Sequence, residues 1–195
     1  MHHLRKDPKL KPVIAKHGPV KLKKNKDIYF MLLRAIAGQQ LSVKAAATIW
    51  QKFLNLFPDQ YPHAHSILHL KSSQMRTCGL SFQKISYMVN IAQFSLQETL
   101  DYEILKSKKN DELIEYLIQI KGVGKWTIEM ILMFGLGRTD VFPLNDLGIQ
   151  NGMRKLYRIK STDKKVLLNK MEKIASSWKP YRTIACMYIW KYKDS

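Results

Sequence analysis

Apolar residues recur along this chain at intervals of three and four. Alternation of any length is missing, so the pattern predicts helices throughout and no sheet. Asp27 stands at the head of an almost wholly apolar run, Ile28 to Ala37, which predicts a helix buried on nearly all sides and ended by Gly38. After Gln39-Gln40-Leu41, Ser42 is placed to cap a second helix whose positions Val43, Ala46, Ala47, Trp50, Phe53, Leu54 and Phe57 share a core-facing side, closed off by Pro58 and Pro62. Short helices are expected over His63 to Leu70 and Ser72 to Cys78. Beyond Gly79 a longer one runs from Ser81 to Ser95, with Ile85, Met88, Val89 and Ala92 inward. Tyr102 to Lys108 forms another short helix. Leu113, Tyr116, Leu117 and Ile120 then mark a helix capped by Asn110 or Asp111, and Ile128, Ile131, Leu132 and Phe134 mark the next. Past Arg138 the chain should run extended through Pro143. Asp146 then opens a helix carrying Leu147, Ile149, Met153 and Leu156, Thr162 caps a further one, and Pro180 fits the first turn of the last, Tyr181 to Tyr192. Residues 1–26, broken by Pro8, Pro12 and Pro19, are expected to lie as an arm or short helix against the body, contacting phosphate or simply solvated. With no internal repeat and no low-complexity linker, the chain should be one compact all-α unit of two helical lobes with a cleft between them. Residues 28–138 form one lobe, and 1–27 with 139–195 the other.

The stretch Ile120-Lys121-Gly122-Val123-Gly124 separates two amphipathic helices, the arrangement of a helix-hairpin-helix. Gly122 and Gly124 can take positive φ and carry no Cβ, which would let a phosphate approach the N–H groups at the open N-terminus of the second helix. The DNA-contact candidates are therefore Lys121, Gly122, Val123, Gly124, Lys125 and Thr127. Contacts of this kind hold a nucleic-acid backbone without reading its sequence. An ordinary turn between two helices remains the alternative.

Charge sharpens the picture. Thirty-three Lys and Arg oppose 15 Asp and Glu, a formal charge of +18 that points to a polyanionic partner, nucleic acid before membrane. No run reaches the length of a spanning helix, and the basic residues do not gather on one amphipathic face. The first 26 residues hold nine Lys and Arg and no apolar core of the kind a secretory leader needs. An intracellular protein is expected, cytoplasmic in a bacterium or nuclear in a eukaryote. The two cysteines, Cys78 and Cys186, sit among apolar neighbours and read as buried thiols. His65 and His69 are four apart, a spacing open to a metal, but no carboxylate or thiol accompanies them nearby, so neither metal nor cofactor is expected.

Three stretches, in order, carry a family resemblance: Arg34-Ala35-Ile36-Ala37-Gly38-Gln39-Gln40-Leu41-Ser42; Gly122-Val123-Gly124-Lys125-Trp126-Thr127 followed by Met133 to Arg138 and Asp140-Val141-Phe142-Pro143-Leu144-Asn145-Asp146-Leu147-Gly148-Ile149; and Trp178-Lys179-Pro180-Tyr181-Arg182 with Trp190. They closely resemble the helix-hairpin-helix DNA glycosylases of the 3-methyladenine DNA glycosylase II type. The resemblance spans most of the chain and implies their fold, with double-stranded DNA bearing alkylated bases as partner and a monomeric enzyme. Lys121 stands where the family usually has proline, which removes some rigidity and adds a phosphate-seeking charge. The branch of the superfamily with an iron-sulfur cluster needs four cysteines, which this chain lacks. Longer members carry a β-rich N-terminal domain, and this chain is expected to begin too late to hold one.

An enzyme that works on a base inside a duplex must turn the nucleotide out of the stack. It must then fill the gap and stabilise the sugar as the C1′–N bond breaks. By resemblance Gln40 holds the wedge position, with adjacent Leu41 as the fallback. Asp146 is the candidate for the sugar, since a fixed carboxylate stabilises oxocarbenium charge or orients the attacking water. It works as the anion, which a helix N-terminus favours. Asp140, its nearest competitor, reads as part of a structural turn. Trp126 and Trp190 are the base-pocket candidates, because alkylated purines such as 3-methyladenine and 7-methylguanine are cationic and an indole face attracts cations. Met130, one turn beyond Trp126, is the third. Lyase-competent relatives carry a nucleophilic lysine two residues after the second hairpin glycine. Here that residue is Trp126, and Lys125 is turned by roughly 100° from it. The expectation is hydrolytic release of the base, leaving an uncut abasic site. Two alternatives stay open: a glycosylase for deaminated or oxidised bases, and a non-catalytic DNA-binding protein.

Overall fold

The computed structural model describes residues 2–195. It is helical, with no strand among the described residues, and no helix is long and apolar enough to cross a membrane. The chain forms two compact units, a hairpin unit of Asn25–Ile131 and a terminal unit in which Leu132–Ser195 is joined by residues 2–24.

In the hairpin unit, α2 (Ile28–Gly38) is capped by Asp27, whose carboxylate accepts from Phe30 N at 2.9 Å. It buries Ile28, Leu32, Leu33, Ile36 and Ala37. Ser42 caps α3 (Val43–Leu54) by accepting from Ala45 N. The core face of α3 starts only at Trp50, because its first turn projects beyond the packing. Val43, expected inside, is 89% exposed, and Ala47 is exposed as well. The short helices α4 (Ala64–His69) and α5 (Ser72–Thr77) lead into α6 (Phe82–Gln97), where Ile85, Met88, Ile91 and Ala92 are buried and Val89 is only half so. After α7 (Tyr102–Ser107), the first hairpin helix α8 (Asn110–Leu117) is entered differently from the expectation at Asn110 or Asp111. Lys109 is the cap residue, and its N–H donates to the Glu112 carboxylate three residues on. The second hairpin helix, α9 (Lys125–Met130), continues into a π-helical turn, Ile131–Gly135, which the apolar period does not disclose.

The terminal unit contains α1 (Leu10–His17), α10 (Leu147–Tyr157), α11 (Lys164–Ser176) and α12 (Arg182–Lys193). Here the N-terminal segment forms the short helix against the body that was one of its two expected forms, and it is packed where solvation was expected. Leu4, Leu10, Val13 and Ile14 are buried, each stabilising by about 1.5–3 kcal/mol. Pro12 lies in the first turn of α1, where its missing N–H costs nothing. Asp7, the only acid of the segment, accepts from Trp178 Nε1 at 2.9 Å and Tyr157 OH at 2.7 Å. Burial raises its carboxyl, but the Trp178 and Tyr157 donors and the N–H groups of Leu10 and Lys9 outweigh that and hold it below the ordinary 3.8. The cap of α11 is Asp163, accepting from Val166 N at 2.9 Å, in place of the expected Thr162. Pro180 follows a cis peptide bond and lies outside α12, which begins two residues later.

Candidate active site and nucleic-acid interface

In the terminal unit the segment leading to Asp146 is held along its length. Thr183 N donates to Thr139 O at 2.9 Å, Thr183 Oγ1 donates to Arg138 O at 2.7 Å, and Val141 N donates to Thr183 Oγ1 at 3.0 Å. Asp140 takes a bidentate ion pair from Arg182, at 2.6 Å from Nε to Oδ1 and 3.0 Å from Nη2 to Oδ2. Burial pushes the Asp140 carboxyl up, the Arg182 guanidinium pulls it down by more, and it lies below its ordinary range. Asp140 is therefore committed to structure, as its position implied.

Asp146 N then donates to Pro143 O at 3.0 Å, and Gln150 Nε2 to Leu144 O at 2.9 Å, so the turn preceding α10 is fixed from both sides. Asp146 is the N-cap of α10, and its Oδ1 accepts from Ile149 N at 2.7 Å. The same oxygen accepts from Trp190 Nε1 on α12 at 2.9 Å. This contact was not legible in the sequence, where Trp190 read as a wall for the base. The indole N–H is a partner of the carboxylate, a contact compatible with a base-facing ring, and that ring lies 6.0 Å from Phe134, centroid to centroid. Gly148 makes the approach possible, since a Cβ there would come within 2.9 Å of Trp190 Cδ1 and Nε1. A carboxylate that accepts two donors on one oxygen has a fixed orientation.

In the hairpin unit the two glycines differ. Gly122 has φ +102°, and a Cβ on it would lie 2.2 Å from Tyr87 Cγ, so its bareness serves packing against the protein. Gly124 is an ordinary extended residue, φ −92°, at the N-cap of α9, and a Cβ there would meet nothing within 4 Å. The reading that both glycines, able to take positive φ, open toward phosphate is thus corrected: Gly122 takes the positive φ, and the open position is Gly124. Lys121 and Lys125 are exposed. Val123 and Thr127 are buried, which leaves backbone groups as what Val123 can offer a ligand.

A depression of about 360 Å³ joins this hairpin turn to the Gln39-Gln40-Leu41 turn, lined by Gln39, Gln40, Tyr87, Gly122, Gly124 and Thr127 among others. Gln40 is exposed, with φ +58°, and Leu41 is 39% exposed. Trp126 is 40% exposed and borders both this polar depression and an apolar one formed with Ala35, Gly38, Leu41, Val43 and Ala47. Met130 is half-buried one turn further along. The structure thus groups Gln40, Leu41, Trp126 and the hairpin turn in one unit, and Asp146 with Trp190 in the other. Among the described residues no three metal-ligating side chains come together; His69 Nδ1 instead bonds to His65 O. Cys78 and Cys186 are buried.

Comparison with known proteins adds four findings. Residues 33–177 match the model of the HhH-GPD superfamily base excision DNA repair proteins. The DNA-3-methyladenine glycosylase 1 of Schizosaccharomyces pombe is 37% identical over 185 residues, covering 94% of this chain and 80% of its own. Among solved structures, the S. pombe 3-methyladenine DNA glycosylase in complex with abasic DNA superposes with a TM-score of 0.88 at 36% identity, over 97% of this chain and 94% of that one. A DNA-3-methyladenine glycosidase from Bacillus halodurans gives 0.81 at 33%, over 99% and 88%.

Proposed function

The chain belongs to the HhH-GPD superfamily of base excision DNA repair proteins, and we propose that it is a monofunctional DNA glycosylase that flips alkylated purines out of double-stranded DNA and hydrolyses their N-glycosidic bond. The observation that carries the catalytic part is the orientation of Asp146, whose Oδ1 is occupied by Ile149 N and Trp190 Nε1. A carboxylate held this way stabilises the cationic sugar without reorganising during the reaction. The C1′–N bond breaks with its electron pair leaving on the base. A purine alkylated at N3 or N7 departs neutral and needs no proton from an acid. Water adds its oxygen to C1′ and gives up a proton, completing an abasic site.

Each remaining residue has one task in this reading. Trp126, 40% exposed, offers its indole to a cationic base, with Met130 one helical turn further along. Gln40, or failing it Leu41, fills the gap left in the stack. Lys121, Lys125, Thr127 and the backbone from Gly122 to Gly124 hold phosphate, and the excess of Lys and Arg supplies the long-range attraction. With Trp126 at the position where lyases carry lysine, the strand is left uncut. The enzyme acts as a monomer, and its affinity for undamaged DNA is electrostatic and strongly dependent on salt.

The test is incubation with duplex oligonucleotides that each bear one lesion, with and without alkali. Release of 3-methyladenine and 7-methylguanine, with strand breaks appearing only after alkali, is the expected result. Breaks before alkali would overturn the monofunctional assignment. Release confined to deaminated or oxidised bases would overturn the substrate class.

A further inference from the structure

Lys84, in the first turn of α6, has no part in the roles above. Its Nζ donates to Ala37 O at 2.9 Å and to Gln39 O at 2.8 Å, carbonyls at the C-terminal end of α2 that a helix leaves unpaired. Among the described residues no carboxylate lies within ion-pair distance of it. Burial pushes its pKa down, so this is an ammonium withdrawn from solvent onto two backbone oxygens. The residue that follows these carbonyls is Gln40, whose left-handed backbone at φ +58° is unfavourable for a non-glycine residue. Three residues further along α6, the Tyr87 ring lies against Gly122. Three further again, Asn90 Nδ2 donates to Lys121 O at 3.3 Å. Gln39 Nε2 closes the set by donating to Gly122 O at 3.4 Å. Residues three apart on a helix share a face, so one side of α6 backs both the Gln39-Gln40-Leu41 turn and the hairpin turn.

We propose that Lys84 is a positioning residue that locks the Gln39-Gln40-Leu41 turn in the conformation from which Gln40 enters the base stack, with α6 fixing that wedge relative to the phosphate-holding hairpin. The proposal rests on the base-flipping reading above. A turn without this clamp would have to be ordered at the moment of insertion, which slows extrusion of the nucleotide. A lesion already free of a partner strand needs no wedge and is indifferent to the clamp.

The test uses Lys84→Met, which keeps the aliphatic stem and deletes the donors, beside Lys84→Arg, which restores donors. Single-turnover release of 7-methylguanine is measured from a duplex and from the same strand alone, with 2-aminopurine opposite the lesion reporting the stack. Loss of two hydrogen bonds should slow duplex release about tenfold in Lys84→Met and reduce the 2-aminopurine response, with single-strand release changed by less than about twofold. Lys84→Arg should recover most of the duplex rate. A duplex rate equal to wild type, or equal losses on both substrates, would overturn the proposal. So would slowed duplex release with a wild-type 2-aminopurine response. Should Lys84→Met fail to fold, Lys84→Gln is put through the same comparison and judged by the same outcomes. Wild-type protein that released base from neither substrate would overturn the glycosylase reading itself, an outcome distinct from an active wild type matched by its variants.

Discussion

The hairpin turn and the turn before Asp146 are both loops that open a helix, yet they are built in opposite ways. At the hairpin the backbone is what faces outward. Gly124 has open space where a side chain would be, and support comes from behind, through Tyr87 against Gly122 and Asn90 on Lys121 O. At Asp146 the side chain is the feature, with one oxygen assigned to Ile149 N and Trp190 Nε1 and the approaching segment tied down by Thr183 and Gln150. A site made of backbone should tolerate change in its side chains. A site made of one carboxylate depends on the charge and orientation of that residue. The proposed function gives the hairpin turn the task of holding DNA and the Asp146 turn the chemistry.

The sharpest way to break this contrast is Asp146→Asn. Asparagine Oδ1 can still accept from Ile149 N and Trp190 Nε1, so the helix cap is kept while the negative charge is lost. Single-turnover excision should fall by at least about a hundredfold. A rate within threefold of wild type would remove Asp146 from the mechanism.

Second in size is a stability effect remote from either turn. Asp7→Ala leaves Trp178 Nε1 and Tyr157 OH without their acceptor and should destabilise the protein by about 2–3 kcal/mol in urea unfolding. Because the Asp7 carboxyl is lower in the folded protein than its ordinary 3.8, its contribution is complete above that pH and lost as pH falls through the folded value. The variant should lack this part of the acid destabilisation, and a parallel pH dependence would contradict the role given to Asp7.

The two glycines sharpen the contrast within the hairpin. Gly122→Ala meets both a positive φ and the Tyr87 ring, so it should cost about 1–2 kcal/mol of stability. Gly124→Ala should leave stability within about 0.5 kcal/mol and weaken binding of damaged and undamaged DNA alike. If only damaged DNA were affected, the hairpin would belong to the base pocket. The smallest effect is expected from Trp190→Phe, which keeps an aromatic ring and removes one donor from Asp146. Excision should slow about fivefold with DNA binding unchanged. A selective loss of affinity for alkylated DNA would give Trp190 the base-pocket role as well.

How much of this was legible in the chain follows from the range of the interactions. Helix positions and the caps Asp27, Ser42 and Asp146 are written in residues three and four apart, and the structure places them there. The same periodicity misled at Val43 and at Leu147, which is 72% exposed. Both are apolar residues in register, but they lie in the first turn of their helices, beyond the packing. In the N-terminal segment a short helix against the body was one of two expected forms, and the burial of Leu10, Val13 and Ile14 was what three prolines and nine basic residues obscured. Side-chain pairings across long separations left no local trace. Trp178 binds an aspartate 171 residues away, Trp190 one 44 away, and Lys84 reaches carbonyls 47 and 45 residues back. Residue types and motif order were enough to nominate Asp146, Gln40 and the hairpin; what holds each of them in place required the fold.

The division between a DNA-holding turn and a catalytic turn is tested most directly by measuring two quantities on two variants, Asp146→Asn and Gly124→Val. The quantities are affinity for a lesion-bearing duplex and single-turnover excision at saturating protein. Asp146→Asn should bind as wild type does and fail to excise, whereas Gly124→Val should bind weakly and, once saturated, excise at close to the wild-type rate. If both variants lost binding and excision together, the two turns would form a single functional element and the account would be wrong.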